Sequence, residues 1–293
     1  MAMTAVAVTI SEAFSEYLKT KIPKSWEREE VTKFRTRINE ILSAEYGLLG
    51  FFQSGSFSNG TGISLKSDVD YMAWIPIARK TTYSSSTLEA MKSLLTIKLW
   101  EASSIWTSRP TVSIDFRGIV TQYEVTPAFY EREANGHIIY SISGPNNTWR
   151  ESAPKAHLAY VRDIDQKRNG KVKGLARLLK AWKYEHDVPV SSFYLEMRAA
   201  EYGASNDSII YPSALPSLMR KMVNHELRSM NDPAGLVNRI SACSSELKRT
   251  TSIRAMQTAL GHLDTAFSKW TVDNYAASQE LRIVFGSDFP FVF

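Results

Sequence analysis

The chain has 293 residues, of which 44% are hydrophobic and 22% charged, as is typical of a folded globular protein. Its single cysteine, Cys243, excludes an internal disulfide framework and a zinc site built from several thiolates. The longest run without a charge, residues 46–65, is too rich in Gln, Ser, Asn and Gly for a membrane helix. Because the first residues also lack a basic segment, we expect a cytoplasmic protein.

The first half of the chain combines helical and strand-like patterns. Apolar residues recur at helical spacing over 9–44, and Pro23 predicts a break into two helices there. A further helix is predicted over 87–100. Alternating apolar and polar residues predict strands over 66–75, 111–116 and 122–129.

The second half is dominated by helical periodicity, and Pro216 suits the first turn of its helix. Helices are predicted over 174–185, 192–202, 216–230 and 252–270. The loop residues of 144–154 predict a division between two domains. We therefore expect an α/β domain over residues 1–150, with its first helix serving as a brace, and a helical domain over 151–293.

A turn of small residues surrounds Gly55 and Ser56, in the sequence Gln-Ser-Gly-Ser-Phe-Ser-Asn-Gly-Thr. Backbone amides in such turns point at anions and bind phosphate. The turn is not a Walker loop, because Thr61 and Gly62 stand where Lys and Ser or Thr are required. We expect it to bind a phosphate group by a different arrangement.

Asp68 and Asp70 lie two residues apart in a strand-like run, so both side chains should point to one face. Two neighbouring carboxylates repel each other unless a cation lies between them. Oxygen ligands on a strand suit Mg²⁺, which takes the rest of its shell from water and substrate phosphate. The alternative is that Asp68 caps a turn and Asp70 is merely exposed.

A third acidic residue follows on another predicted strand. Glu124 stands shortly before Pro127, and three carboxylates are the minimum set for two divalent ions that act in phosphoryl transfer. Asp115, on the strand before, is the competing third ligand. Spacing slightly favours Glu124.

The predicted helix over 174–185 has an apolar stripe and a basic face. Lys173, Arg177 and Lys180 are spaced so that they line the face opposite the stripe. The net charge of +5 is compatible with an anionic partner and with a solvated lysine-rich surface. Opposite a pair of strand aspartates, such a face is better explained by a bound polyphosphate.

Gly55-Ser56, the Asp68-x-Asp70 pair and an acidic residue before Pro127 resemble the nucleotidyltransferase superfamily of DNA polymerase beta type. The resemblance implies an α/β (α+β) nucleotidyltransferase core with a mixed sheet, followed by a mostly helical second domain that binds nucleotide. It covers residues 53–286, most of the chain.

The helical half resembles the bacterial cGAS/DncV-like nucleotidyltransferases (CD-NTases), the SMODS-type synthases of cyclic oligonucleotides. The resemblance lies in Leu-Leu-Lys-Ala-Trp around Lys180, in Ser-Ser-Phe at 191–193, in Asn-Asp-Pro at 231–233 and in Ile-Val-Phe-Gly at 283–286. One departure is Glu124, where these enzymes more often carry Asp.

Site residues follow from the resemblance position by position. Asp68, Asp70 and Glu124 would be catalytic and would bind two Mg²⁺ ions, for which Mn²⁺ could substitute. The turn at Gly55 and Ser56 would hold the donor triphosphate. Its tail would contact Lys180 and Ser192, and Phe193 would stack on a base.

The resemblance implies template-independent nucleotidyl transfer from nucleoside triphosphates (NTPs), which closes a cyclic di- or trinucleotide used as a second messenger in antiphage signalling. Neither a membrane nor a nucleic acid would be required, and effector or regulatory proteins could be partners. One alternative is a transferase that extends RNA or makes open oligonucleotides. Another is a non-catalytic nucleotide sensor, which the three acidic positions disfavour.

Overall fold

A computed structural model describes residues 9–270 and 272–292 of the chain. The helices are α1 (Ile10–Lys21), α2 (Ser25–Lys33), α3 (Arg35–Tyr46), α4 (Gly55–Asn59), α5 (Ser84–Lys98), α6 (Pro154–Lys167), α7 (Lys171–Glu185), α8 (Ser192–Ser205), α9 (Tyr211–Asn224), α10 (Glu246–Lys269) and α11 (Asn274–Phe285). The strands are β1 (Gly50–Ser54), β2 (Val69–Ile75), β3 (Ala102–Ser108), β4 (Thr111–Phe116), β5 (Tyr123–Ala134), β6 (His137–Ser143) and β7 (Trp149–Ser152).

The chain forms two compact units that do not follow the predicted boundary after residue 150. The sheet-containing unit comprises Pro23–Ala159 and Ala234–Asn238. Of the described residues, the helical unit comprises 9–22, Tyr160–Pro233, 239–270 and 272–292. The first helix, expected as a brace of the sheet domain, therefore belongs to the helical unit, and the division falls within α6.

The sheet unit contains one mixed sheet, as predicted. Its strand order is β1-β2-β5-β4-β3, and β6 pairs with both β5 and β7. β2 and β5 run parallel, whereas the other neighbours are antiparallel. The parallel pair places the predicted acidic strands side by side at the centre of the sheet.

The two faces of β2 have different surroundings. Val69, Tyr71 and Ala73 are fully buried and share a hydrophobic core with residues of α3 and α5. The alternate residues of β2, beginning with Asp70, point to the opposite face. Farther along that face, Met72 belongs to a smaller apolar cluster with Tyr140. The polar end of this face carries the candidate site.

Three expectations about local structure need correction. Residues 9–44 form three helices, because Phe34 has a non-helical backbone that separates α2 from α3. Pro216 lies inside α9, because Pro212 already occupies its first turn. The loop around residues 144–148 connects β6 to β7 within the sheet, so it does not divide the units.

The apolar end of the chain packs within the helical unit. Phe289 is fully buried, and its ring contacts those of Phe14, Tyr17 and Phe285 at centroid distances of 5.2, 5.2 and 5.4 Å. The Tyr17 hydroxyl donates a 2.9 Å hydrogen bond to the Phe285 carbonyl. These contacts join α1 to the end of α11 and to the segment that follows it. Within the described residues, no helix is both long and apolar enough to span a membrane.

Replacing Phe289 by Ala should destabilise the helical unit by about 3–5 kcal/mol, since it leaves a cavity among three aromatic rings. Chemical unfolding followed by circular dichroism measures the change. Val272→Ala, at a position that is 87% exposed, serves as the control and should cost less than about 0.5 kcal/mol. Equal stabilities of the two variants would contradict the packing described.

Candidate nucleotidyl-transfer site

Asp70 and Glu124 are direct partners in the register of β2 and β5. The same row across the sheet contains Ser54 of β1 beside Asp70 and Ser113 of β4 beside Glu124. Partners in register point to the same face of a sheet. Two carboxylates and two hydroxyls therefore form a polar row across four neighbouring strands.

Glu124 is partly buried and lies in the field of both predicted aspartates. Burial, followed by the negative charges of Asp70 and Asp68, raises the pKa of Glu124 to about 7. Ser113 opposes this shift through a long hydrogen bond, in which its Oγ lies 3.4 Å from Glu124 Oε1. Glu124 thus feels the charges of both aspartates, and the register makes it the direct neighbour of Asp70.

The competing residue Asp115 has other surroundings. Its carboxylate accepts hydrogen bonds from Ser104 Oγ at 3.1 Å and from Gln122 Nε2 at 3.3 Å. The raised pKa of Glu124 arises from burial and from the charges of Asp70 and Asp68. The register favours Glu124 as the third carboxylate, because it pairs Asp70 with Glu124, whereas Asp115 pairs with Ser104.

The turn at Gly55 fits against the Asp70 carboxylate. β1 ends at Ser54, and Gly55 begins the short helix α4 with a φ of +63°. A Cβ atom on Gly55 would lie 1.8 Å from Asp70 Oδ2. Only glycine fits between the turn and the carboxylate, which explains why this residue precedes Ser56.

The site has the ligands that Mg²⁺ prefers. Across residues 9–270 and 272–292, no three acidic, histidine or cysteine side chains are arranged so that they could hold a metal ion by themselves. Mg²⁺ in phosphoryl-transfer sites is held by one or two carboxylates and completes its shell from water and substrate phosphate. The repulsion that raises the pKa of Glu124 is what a bound cation would relieve. Asp70 and Glu124 therefore supply ligands of the kind that Mg²⁺ prefers.

Lys180, in the helical unit, is not on an exposed basic face as expected. It is 1% exposed, and its Nζ lies 2.7 Å from Glu196 Oε2 on α8. Lys173 on the same helix lies 3.7 Å from Asp165. The sequence alone does not single out Glu196 as the partner of Lys180, because the two residues lie on different helices and only the packing of α7 against α8 brings them together.

Ser192 begins α8 and accepts a 2.8 Å hydrogen bond from Lys183 Nζ. Ser191, just before it, caps the helix by accepting from the Tyr194 amide. Phe193 is 41% exposed, which suits a residue expected to stack on a base. Lys183 was missed in the sequence, although it lies three residues after Lys180 on the same helix.

Replacing Gly55 by Ala should lower the free energy of unfolding by more than the backbone strain alone. Gly118→Ala is a matched control, because Gly118 has a φ of +70° and a Cβ added there would meet nothing within 4 Å. The control should cost about 1–2 kcal/mol, and Gly55→Ala should cost more, since its Cβ displaces Asp70. Equal losses in urea unfolding would contradict the close fit.

The raised pKa of Glu124 predicts a pH-dependent effect of Glu124→Gln. The folded pKa is about 7 against an ordinary value of 4.5, so stability is present at low pH and is lost as pH rises through 7. In EDTA at pH 8.5, Glu124→Gln should stabilise the chain by about 3 kcal/mol, with little gain at pH 5.

The control for this experiment is Glu133→Gln, at an exposed position near the other end of β5. It should change the free energy of unfolding little at either pH. A gain for Glu124→Gln that is the same at pH 5 and pH 8.5 would argue against carboxylate repulsion.

Comparison with known proteins supports the fold that the sequence resemblance implies. No protein-family model matches the chain. A curated relative from Bacillus cereus (strain VD146), described as a probable cyclic nucleotide synthase, is 21% identical over 284 residues. The match spans 92% of this chain and 84% of the relative.

Solved structures are similar over nearly the whole chain. CdnC from E. coli MS115-1, solved with ATP, has a TM-score of 0.77 at 19% identity, over 95% of this chain and 98% of CdnC. The CD-NTase CdnG from Bradyrhizobium diazoefficiens, solved with GTP, has a TM-score of 0.72 at 13% identity, over 94% of each chain. The resemblance noted in the sequence is confirmed: this chain has the fold of the CD-NTases.

Proposed function

We propose that this chain is a Mg²⁺-dependent, template-independent nucleotidyltransferase that makes a cyclic di- or trinucleotide from NTPs. The observation that carries the proposal is the register of Asp70 and Glu124 beside the Gly55 turn, within a CD-NTase fold. A sensor that had lost catalysis would have no reason to keep repelling carboxylates together.

The similar proteins support this choice of substrate and product. CdnC was solved with ATP and CdnG with GTP, and the curated relative is described as a probable cyclic nucleotide synthase. CdnC was also solved in complex with HORMA-deltaN, which supports a regulatory protein as partner. We place the activity in the cytoplasm, where NTPs are abundant, and assign the product to antiphage signalling as a second messenger.

In the proposed reaction, an acceptor ribose hydroxyl attacks the α-phosphorus of an NTP. A phosphoester bond forms, the bond to the β-phosphate breaks, pyrophosphate leaves and the hydroxyl proton is released. Asp68, Asp70 and Glu124 would hold two Mg²⁺ ions, with Mn²⁺ as a substitute. When bound, these ions neutralise phosphate charge and acidify the hydroxyl. A final transfer within the linear intermediate closes the ring.

The remaining site residues orient the nucleotide. The turn at Gly55 and Ser56 binds donor phosphate through its backbone amides and the Ser56 hydroxyl. The resemblance assigns the triphosphate tail to Lys180 and Ser192 and a base to Phe193, and Lys180 is buried against Glu196 in this structure. Lys180 would retain its pairing with Glu196, so its contribution depends on the ammonium group being shared between that carboxylate and phosphate.

Asp68→Asn combined with Asp70→Asn should abolish product formation while the chain still folds. Losing the ligand carboxylates removes several kcal/mol of transition-state stabilisation, at least about 10³ in rate. Turnover is measured as pyrophosphate released from the four NTPs with Mg²⁺. Asp264→Asn, at a position on α10 paired with Arg220, is the matched control and should keep wild-type turnover. Wild-type turnover in the double variant would refute the mechanism.

The identity of the product is tested by treating the same reaction with phosphatase before mass spectrometry. A cyclic product has no terminal phosphate and survives with unchanged mass, as the proposal requires. Products that lose phosphate would instead indicate a linear transferase. Nucleotide binding without product, under every metal and pH tried, would indicate a sensor.

A further inference from the structure

Glu27 on α2 is a buried carboxylate that the sequence did not single out. It is 2% exposed, and its oxygens accept three hydrogen bonds. Ser64 Oγ donates to Oε1 at 2.6 Å, and the Lys24 amide donates to the same oxygen at 2.9 Å. The Leu65 amide donates to Oε2 at 2.8 Å. One side chain thus holds both the start of α2 and a loop nearly forty residues away.

The loop held by Glu27 runs from Gly60 to Asp68 and is stabilised by hydrogen bonds between its own residues. The Ile63 amide donates to Ser67 Oγ at 2.9 Å, and the Ser67 amide donates to the Ile63 carbonyl at 3.0 Å. Leu65 has a φ of +61°, in the left-handed region that residues other than glycine seldom adopt. The bond from the Leu65 amide to Glu27 stabilises this conformation.

Both ends of this loop enter the candidate site. At one end the Thr61 amide donates a 2.9 Å hydrogen bond to the carbonyl of Ser56, in the turn expected to bind phosphate. At the other end Ser67, itself buried, directly precedes Asp68. The loop conformation therefore sets the spacing between the phosphate-binding turn and the first carboxylate.

We infer that Glu27 is a positioning residue for the proposed nucleotidyl transfer, because it fixes the loop that connects Ser56 to Asp68. The inference deepens the proposed function and names a residue that touches neither nucleotide nor metal ligand. Positioning matters at such a site, since a shift of about 1 Å in a reacting group can cost about a hundredfold in rate.

The role requires a carboxylate and not an amide. The three groups around Glu27 donate hydrogen bonds, and an ionised carboxylate only accepts them. Burial alone would raise the pKa of Glu27, but the hydrogen bonds from Lys24, Ser64 and Leu65 outweigh it and lower that pKa. In Glu27→Gln an amide N–H would face one of these donors and push the loop away.

The test compares wild type, Glu27→Gln and Ser64→Ala by Mn²⁺ binding, hydrogen exchange and turnover. Glu27→Gln should raise the half-saturating Mn²⁺ concentration, measured by electron paramagnetic resonance, at least about tenfold. Amides of residues 61–67 should exchange at least about tenfold faster. The kcat should fall by about tenfold or more, with the KM for NTP near wild type.

Ser64→Ala removes one of the three hydrogen bonds to Glu27. It should change the Mn²⁺ affinity, the exchange rates and kcat in the same direction by a smaller factor. If Glu27→Gln does not fold, this variant tests the positioning role. The control is Asp273→Ala, which removes the cap of α11 at the Ala276 amide in the helical unit. It should alter thermal stability alone.

Two failures are distinguishable. If wild type makes product and the folded Glu27→Gln and Ser64→Ala variants match it in Mn²⁺ affinity, exchange and kcat, the positioning role is wrong and the proposed function stands. If wild type makes no product, the proposed function is wrong. The Mn²⁺ and exchange measurements then decide the role of Glu27 by themselves.

Discussion

The repulsion between Asp70 and Glu124 is the constraint around which the site is organised. Hydrogen bonding between β2 and β5 fixes the two residues as partners in the register, so their backbones cannot separate to relieve it. Burial strengthens the repulsion, because less water surrounds the charges. Gly55 closes against Asp70, and a side chain there would displace the carboxylate. A cation is the simplest partner for this arrangement.

The fold was predictable where side chains alternate clearly between buried and polar. The strand predicted over 111–116 matches β4, and the expectation of a mixed sheet was correct. β3 was missed because its Ser-Ser-Ile-Trp-Thr-Ser sequence lies at the sheet edge, where exposure leaves no strong apolar alternation. The bounds of the two units could not be predicted from the sequence, because the chain returns to the sheet unit at Ala234–Asn238 and no change in composition marks this segment.

The candidate site was predictable to the extent that its residues are close in sequence or match a motif. The separation of two between Asp68 and Asp70 predicts a shared face, but β2 begins only at Val69, so Asp68 lies in the loop just before the strand. The burial of Lys180 was not predictable, because helical spacing gives no information on Glu196 in the next helix. Glu27 carries no motif at all, and its role depends on a loop whose shape only coordinates reveal.

The central claim is that the carboxylates of neighbouring strands jointly bind divalent cations. Crystals grown with Mn²⁺ and a non-hydrolysable NTP analogue test it most directly, because anomalous scattering locates manganese independently of the surrounding atoms. The account predicts manganese between Asp70 and Glu124, in contact with the nucleotide phosphates. Manganese bound elsewhere, with Glu124 turned away from Asp70 in the presence of the analogue, would contradict it.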